Sequence, residues 1–413
     1  MEYGLIGAKL GHSYSVPIHA RLGGYDYRLY EMTEDEARAH LAARDFKGLN
    51  VTIPYKKLAL EYCDVLSDAA RAIGSVNTLL VRPDGSLYGD NTDIGGFLSM
   101  AARAGVTLAD RKVIILGSGG TSLTARAACR LQGAREIVVI SRQGPVDYDA
   151  LYRDHADAQV LVNTTPVGMY PNNGASPADL SRLPHLEGVL DVIYNPDRTA
   201  LILDAEARGL PCAGGLYMLV DQARRAAEVF TGKAIAPAAT DDIFAELRAE
   251  ALNLVLIGMP GSGKSSVGRA LAEALDRPFV DCDAEIARRA GMSIPEIFET
   301  RGEAAFRDLE AQVLADVCRE KGRVVASGGG AVLREDNVRA MRQNGRLILL
   351  ERALDALSMD GRPLSKSLAA LEAMWALRAP KYHGAMDARV DNNGDFEQTV
   401  ARAKEVFYEA ARH

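Results

Sequence analysis

Cysteine is scarce in this chain of 413 residues, long apolar runs are missing, and positive charge is in deficit. Each shortage removes a class of protein. The five cysteines, Cys63, Cys129, Cys212, Cys282 and Cys318, are scattered, odd in number and form no CxxC pair. That argues against a disulfide framework or a zinc site and for the reduced thiols of a cytoplasmic protein. No stretch of about 18 apolar residues calls for a membrane span. Met1-Glu2-Tyr3-Gly4 lacks a basic segment followed by an apolar one, so no secretory leader is expected. A net charge of −7 argues against nonspecific binding to nucleic acid or to anionic membranes, and anionic substrates would need local basic sites. What is present, 48% hydrophobic and 25% charged residues, is ordinary for globular proteins, and the length sets a prior of two or three domains.

Short apolar runs alternate with helical patterns through most of the chain. Strands are predicted at 113–116, 137–140, 189–193, 254–257, 324–326 and 347–350. They are rich in Val, Ile and Leu without alternation, as expected of strands covered on both faces by helices. The fold class is therefore α/β with parallel sheets. Thr33 and Glu36 form a capping-box start to an early helix. Residues 232–250 change character, with Ala-Pro-Ala-Ala-Thr followed by a short acidic amphipathic stretch, and 238–251 reads as a linker.

Two glycine loops carry the first chemical signals. Gly117-Ser118-Gly119-Gly120-Thr121-Ser122 follows a strand and opens a helix, which lets backbone amides approach a pyrophosphate at the helix N-terminus. A bare GxGG is as often a plain tight turn; the strand, helix and second strand around it raise its weight. That second strand ends in Ser141-Arg142-Gln143, with no acid for a ribose hydroxyl. Arg142 is suited to the 2′-phosphate of NADP, although alone it is an ordinary surface arginine. The second loop is stronger. Gly258-Met259-Pro260-Gly261-Ser262-Gly263-Lys264-Ser265 is GxxxxGK[ST] between a strand and a helix. Its amides wrap phosphates, Lys264 reaches the β and γ groups, and Ser265 ligates Mg²⁺.

Four clusters before residue 100 are too polar for a mere core: Gly11-His12-Ser13-Tyr14-Ser15, Asn50 to Lys56, Ser75-Val76-Asn77-Thr78, and Asn91-Thr92-Asp93. Together they suit a small ligand with several hydroxyls and a carboxylate. Reducing a ketone needs a proton donor beside the forming alkoxide. Lys56 can donate that proton and Asp93 can orient it. Singly, Lys56 is a solvated lysine and Asp93 a helix cap before 94–102.

The residues converge here on a family. GHSYSVPIH, GLNVTIPYKK, IGSVNTL, GDNTDIGGF, the GSGGTS loop, VNTTPVGM, DVIYNP and GGLYMLVDQA stand in order between about residues 3 and 237, and this stretch resembles shikimate dehydrogenase. The resemblance implies that Ser13 and Ser15 hold the substrate carboxylate with Thr52 beside them. It implies that Lys56 and Asp93 are the catalytic pair, and that Asn77 and Gln222 meet the ring hydroxyls. Tyr194 and Gly215 border nicotinamide and substrate. Gly117, Ser118, Gly119, Gly120, Thr121, Ser141 and Arg142 take NADP(H). The implied fold is a substrate lobe at 1–97 completed by 216–237, with a Rossmann-like NADP domain at 98–215. Gln143 stands where the family often has Thr, and 141–163 is short.

After the P-loop, Asp281 and Asp283 are expected at the end of a strand over 279–283, both on one face because i and i+2 point the same way. Phe306-Arg307-x-x-Glu310 puts a guanidinium and a carboxylate on one helix face, which in isolation is an ordinary surface pair. Ser327-Gly328-Gly329-Gly330 follows a strand and permits close ligand approach, or is simply a flexible turn. With GMPGSGKSS, GRPL at 361–364 and RAPKYHGAMD at 378–387, residues 252–413 resemble shikimate kinase. The resemblance implies Asp283 on the ring hydroxyls, Arg307 and Arg378 clamping the carboxylate, and Gly328, Gly329 and Gly330 along the ring. Gly258, Gly261, Ser262, Gly263, Lys264, Ser265 and Ser266 are implied for ATP, and Ser265 and Asp281 for Mg²⁺. Arg362 falls in a lid over about 354–365 and would meet the transferring phosphate. That lid is short and lacks a second basic residue before Arg362. The expected function is reduction of 3-dehydroshikimate with NADPH followed by phosphorylation of shikimate with Mg-ATP. A quinate or related polyol dehydrogenase joined to a nucleotide-binding regulatory module is the alternative.

Overall fold

The computed structural model describes residues 2–11, 13–357 and 368–412. Among these residues sixteen strands form three sheets. The first sheet holds β1 (Tyr3–Gly7), β2 (Tyr27–Glu31), β3 (Gly48–Val51), β4 (Val65–Leu66), β5 (Thr78–Val81) and β6 (Leu87–Asp90), in the order β2-β1-β3-β5-β6-β4. It is mixed, not parallel throughout: β5 runs antiparallel to both β3 and β6. The cause is a tight connection between β5 and β6. Arg82 and Ser86 close the turn, Gly85 takes φ 81°, and Asp84 Oδ1 accepts from the Ser86 amide. Strands of four residues leave too short a pattern to reveal this direction.

The second sheet holds β7 (Lys112–Leu116), β8 (Glu136–Ile140), β9 (Val160–Asn163), β10 (Gly188–Asp191) and β11 (Cys212–Ala213), all parallel in the order β11-β10-β9-β7-β8. The third holds β12 (Asn253–Ile257), β13 (Phe279–Asp281), β14 (Val324–Ala326), β15 (Gly345–Glu351) and β16 (Ala388–Asp391), all parallel in the order β13-β14-β12-β15-β16. The third sheet shows why its strands read as unbroken apolar runs. Val255, Ile257, Leu347 and Leu349 enter one buried cluster, while Leu254, Leu256, Ile348 and Leu350 enter another. Alternate side chains go to opposite faces, and both faces carry helices. Each fully buried Val, Leu or Ile contributes roughly 1.5–3 kcal/mol.

The Thr33 capping box is present, with Glu36 reaching back to the Thr33 amide at 2.8 Å. A long helix spans Leu216–Thr231. Residues 238–251, expected as a linker, are a helix, Ala238–Ala251.

The chain divides into two compact units, residues 1–195 with 204–244, and residues 196–203 with 245–413. Within the second unit Asp197 is enclosed by arginines. Its carboxylate accepts from Arg248 Nε at 2.9 Å and Nη2 at 3.1 Å, and Arg346 Nη2 lies 3.5 Å away. Burial pushes the Asp197 carboxyl up, but the Arg248 and Arg346 guanidinium groups outweigh it and bring it down to about 2. Arg198 donates to the carbonyls of Arg342 and Gly345, at 2.8 Å each.

No helix among the described residues is long and apolar enough to cross a membrane, and all five cysteines are free thiols.

Candidate active sites

The first site collects at the C-terminal end of β3, the start of β5 and the start of the helix Asp93–Arg103. Lys56 opens the short helix Lys56–Leu60, and its Nζ donates to Asp93 Oδ2 at 2.6 Å. Asn77 Nδ2 donates to Asp93 Oδ1 at 2.8 Å. The Asp93 side chain does not cap its own helix; that N-cap is Thr92, which makes no side-chain capping bond. Both Asp93 oxygens are committed to neighbours that could face a ligand. Side-chain exposures of 29% for Lys56 and 16% for Asp93 leave the pair reachable without dissolving it in bulk water.

Thr52 follows β3 by one residue, and its amide donates to the Ile6 carbonyl. Ser13 Oγ accepts from the Ser15 amide at 3.2 Å, where the helix Ser15–Leu22 begins. Tyr14, between them, meets Tyr194 edge-on at 5.8 Å, so the serine loop and the turn after β10 come together. Burial, then the Tyr14 hydroxyl, raises the Tyr194 phenol. Gln222 arrives through helix packing. A side chain on Gly96 would stand 2.6 Å from the Met218 carbonyl and 3.1 Å from Gln222 Cβ, so only glycine lets the helices Asp93–Arg103 and Leu216–Thr231 approach this closely. Gly215 has the same duty: a Cβ there would collide with the Val192 carbonyl.

The first glycine loop joins β7 to the helix Gly120–Leu131. Gly117 has φ 103°, and its missing Cβ would press on Thr164 Oγ1 at 2.9 Å. Gly119 and Gly120 face open space, with Ser118 exposed and Thr121 half-buried beside them. After β8, Arg142 is exposed, no carboxylate stands at 141–143, and the buried Ser141 hydroxyl has no protein partner. Open amides at a helix N-terminus and an exposed guanidinium fit the pyrophosphate and 2′-phosphate of an NADP-type dinucleotide.

In the second unit, Gly258, Gly261, Ser262 and Gly263 run from β12 into the helix Lys264–Leu275, which includes Ser266. Lys264 Nζ donates to the carbonyls of Gly258 and Met259 at 2.9 Å each. Ser265 Oγ donates to Asp281 Oδ2 at 2.6 Å. Asp281 Oδ1 accepts from the amides of Asp283 and Ala284, so this carboxylate caps the helix Cys282–Ala290. That corrects one expectation. β13 ends at Asp281, and Asp283 lies in the first turn of a helix, not on a shared strand face. The Asp281 cap starts the helix two residues too early for an i, i+2 strand argument. Among the described residues no cluster of three or more His, Cys, Asp or Glu could hold a metal. A hydroxyl and a carboxylate in contact at a P-loop do fit Mg²⁺, which keeps waters and shares phosphate oxygens.

Asp283, Arg307, Glu310 and Arg378 ring the three glycines after β14. A Cβ on Gly328 would lie 2.6 Å from Glu310 Oε1 and 2.9 Å from Asp283 Oδ1, and one on Gly330 would overlap the Arg307 guanidinium. Arg378 Nη1 donates to the Gly329 carbonyl at 2.9 Å, and a Cβ on Gly329 would stand 2.7 Å from Pro260 of the P-loop. Arg307 and Glu310 pair at 2.9 Å. Glu310 is fully buried, burial raises its carboxyl against the pull of Arg307, and its Oε1 has no protein partner. This is no solvated surface pair. Arg362 and the GRPL stretch lie outside the described residues.

Thr92, from a cluster the sequence singles out, donates its amide to Asn77 Oδ1 at 2.9 Å. Sequence reasoning missed other neighbours: Tyr382 donates to the Gly329 carbonyl. Asn392 donates to the Ser262 carbonyl at 2.7 Å. Near it, Glu351, Arg352, Trp375, Arg389, Asp391 and Asn393 line a cleft of about 580 Å³. Asn392-Asn393-Gly394 reads only as a turn after β16, and the packing of β16 beside β15 is what brings it to the P-loop.

Comparison with known proteins finds the same two families at the two ends of the chain. Residues 5–79 fit the shikimate dehydrogenase substrate binding domain, and residues 260–407 fit shikimate kinase. A shikimate dehydrogenase (NADP(+)) of Clostridium perfringens is 34% identical over 266 residues, covering 60% of this chain and 98% of the relative. A chorismate mutase/shikimate 5-dehydrogenase fusion protein from Clostridium acetobutylicum superposes with TM-score 0.56 at 34% identity, covering 60% of this chain and 96% of the other. Shikimate 5-dehydrogenase from Thermus thermophilus, solved in complex with NADP(H) and shikimate, gives 0.53 at 29% identity, covering 59% and 98%. With 98% of a relative covered at 34% identity, the chain belongs to the shikimate dehydrogenase family, and it continues into a shikimate kinase domain in the same polypeptide.

Proposed function

We propose that this chain is a bifunctional enzyme that reduces 3-dehydroshikimate to shikimate with NADPH and then phosphorylates the 3-hydroxyl of shikimate with Mg-ATP. The first product is the second substrate, so the two assignments support each other. The observation that carries the reading is convergence. Residues far apart in sequence meet as Lys56, Asp93 and Asn77 in one unit, and as Asp283, Arg307, Glu310 and Arg378 around a glycine turn in the other.

When bound, NADPH supplies the hydride and Mg-ATP the phosphoryl group. In the reductase, Lys56 donates the proton to the carbonyl oxygen as it becomes a hydroxyl, while Asp93 holds the ammonium in place. Ser13 and Ser15 hold the substrate carboxylate with Thr52, Asn77 and Gln222 orient the ring hydroxyls, and Tyr194 and Gly215 close the nicotinamide side. Gly117, Ser118, Gly119, Gly120 and Thr121 hold the pyrophosphate, and Ser141 and Arg142 the 2′-phosphate. In the kinase, Arg307 and Arg378 clamp the carboxylate with paired hydrogen bonds. Asp283 orients the attacking hydroxyl, Lys264 steadies the phosphates, Ser265 and Asp281 hold Mg²⁺, and Arg362 meets the transferring group. The cleft with Arg352 and Asn393 takes the base.

The domains that follow are 1–97 with 216–237 for the substrate lobe, 98–215 for NADP and 252–413 for the kinase, and the compartment is the cytoplasm. The test is one reaction with purified protein, 3-dehydroshikimate, NADPH and Mg-ATP, read by mass spectrometry beside an ATP-free control. Shikimate 3-phosphate with ATP, and shikimate without it, is the expected result. Shikimate in both tubes would remove the kinase assignment.

A further inference from the structure

Five hydrogen bonds run from the edge of the first sheet to the Lys56–Asp93 pair, and every donor before Asp93 points the same way. Tyr27 Oη donates to Asn50 Oδ1 at 2.7 Å. Asn50 Nδ2 donates to Thr78 Oγ1 at 3.1 Å, and Thr78 Oγ1 donates to Asn77 Oδ1 at 3.0 Å. Asn77 Nδ2 donates to Asp93 Oδ1 at 2.8 Å, and Lys56 Nζ closes the series on Asp93 Oδ2. Tyr27, Asn50, Thr78 and Asn77 are all buried.

Nothing in the core requires a hydroxyl on Tyr27. The ring packs as an aromatic should, stacked on His19 with centroids 3.8 Å apart and planes 10° from parallel. Phenylalanine would satisfy that packing. The hydroxyl instead reaches from β2, over β1, to Asn50 on β3. There it donates to an enclosed Asn50 acceptor that the His19 ring also approaches, and it interacts with the Ser15 side chain as well. A filled Oδ1 leaves Nδ2 to serve Thr78 and the Asn77 carbonyl. A reversed amide would set carbonyl against carbonyl at Asn77. Aligned donors in a buried series polarise one another, so the first member bears on the last.

We propose that Tyr27 is a positioning residue for the Lys56–Asp93 pair, holding the donor series that fixes Asn77 against Asp93. The inference rests on the reading of Lys56 and Asp93 as the reductase pair. Tyr27 acts through Asn50 and Thr78 rather than on the reacting atoms.

The test uses the full chain and the variants Tyr27→Phe, Thr78→Val and Tyr25→Phe, with Lys56→Ala as reference. Tyr25 is the control because its hydroxyl sits on His19 Nδ1 at 2.6 Å, off the series. Steady-state oxidation of shikimate by NADP⁺ is measured beside the kinase rate and the thermal unfolding midpoint. Tyr27→Phe and Thr78→Val are expected to lower kcat roughly ten- to hundredfold, the penalty of small misplacement of catalytic groups. The KM for NADP⁺ and the kinase rate stay unchanged, and Tyr25→Phe behaves as the parent. A Tyr27→Phe enzyme with parental kcat overturns the proposal. So does an equal loss in all three variants that tracks a lower unfolding midpoint, which would mean packing alone. If Lys56→Ala still oxidises shikimate, the pair itself is misassigned and the inference falls with it. If Lys56→Ala is dead while Tyr27→Phe is parental, only the role of Tyr27 is lost.

Discussion

The Ser265 hydroxyl donates to Asp281 across 2.6 Å, while the other Asp281 oxygen caps the helix that carries Asp283. One carboxylate therefore ties the phosphate loop to the helix holding the acceptor-side acid. Asp281→Asn keeps a capping oxygen but loses the charge. It is expected to raise the Mg²⁺ concentration needed for half-maximal kinase rate at least about tenfold, the weight of one charge-assisted contact. Asp281→Ala adds loss of the cap, about 1 kcal/mol of stability. Titrating Mg²⁺ against kinase rate checks both, and a parental Mg²⁺ requirement in Asp281→Asn would remove Asp281 from the metal site.

Lys56→Ala should lower reduction by about 10²–10⁴, the usual scale for a lost general acid, while phosphorylation of added shikimate continues. Lys264→Ala should do the reverse. Paired assays on each variant decide the matter. Loss of both activities in one folded variant would contradict two independent sites.

Arg142 follows the end of β8, with no acid at the neighbouring positions 141 and 143. Arg142→Ala is expected to shrink the preference for NADPH over NADH about ten- to hundredfold, from the loss of hydrogen bonds to a charged phosphate. The ratio of kcat/KM for the two cofactors measures this, and an unchanged ratio would exclude Arg142 from cofactor choice.

Gly330→Ala drives a methyl group into the Arg307 guanidinium. The KM for shikimate in the kinase reaction should rise by about tenfold or more through loss of one carboxylate contact, with the KM for ATP and the reductase unaffected. Equal effects on both kinase substrates would mean that the turn serves the P-loop and not the acceptor.

Asp197 gives a pH test. Its folded value of about 2 is below its ordinary 3.8, so the second unit holds its carboxylate charged. That stabilisation is present above about pH 4 and is lost as pH falls towards 2, a change on the order of 2 kcal/mol. In calorimetry, Asp197→Asn should unfold earlier than the parent at about pH 7, with the gap narrowing by about pH 3. A gap that stays constant with pH would mean that charge is not what Asp197 contributes.

The sequence made the glycine loops and the polar clusters visible because phosphate cradles and hydroxyl-binding sites demand particular residues at fixed spacing. Lys56 and Asp93 lie 37 positions apart, and their pairing was legible only because each sits in a recognisable cluster. The direction of β5 was not legible, since a four-residue strand has almost no pattern. Asp283 was placed on the wrong element because Asp281 has the chemistry of both a strand end and a helix cap, and the cap prevails. Tyr27 left no signal at all. A tyrosine in a strand is ordinary, and only its partner across the sheet distinguishes it.

The motifs of the two enzymes part company near residue 252, but the folding units do not. Residues 196–203 and Arg248 belong to the second unit, where Asp197 neutralises Arg248 and lies close to Arg346. A gene cut at the P-loop strand would leave Asp197 and Arg248 on one product and Arg346, keeping Asp387 but losing Asp197, on the other. Two reading frames made that way would divide one buried cluster between two products, because the aspartate that faces Arg248 and Arg346 lies well before the P-loop.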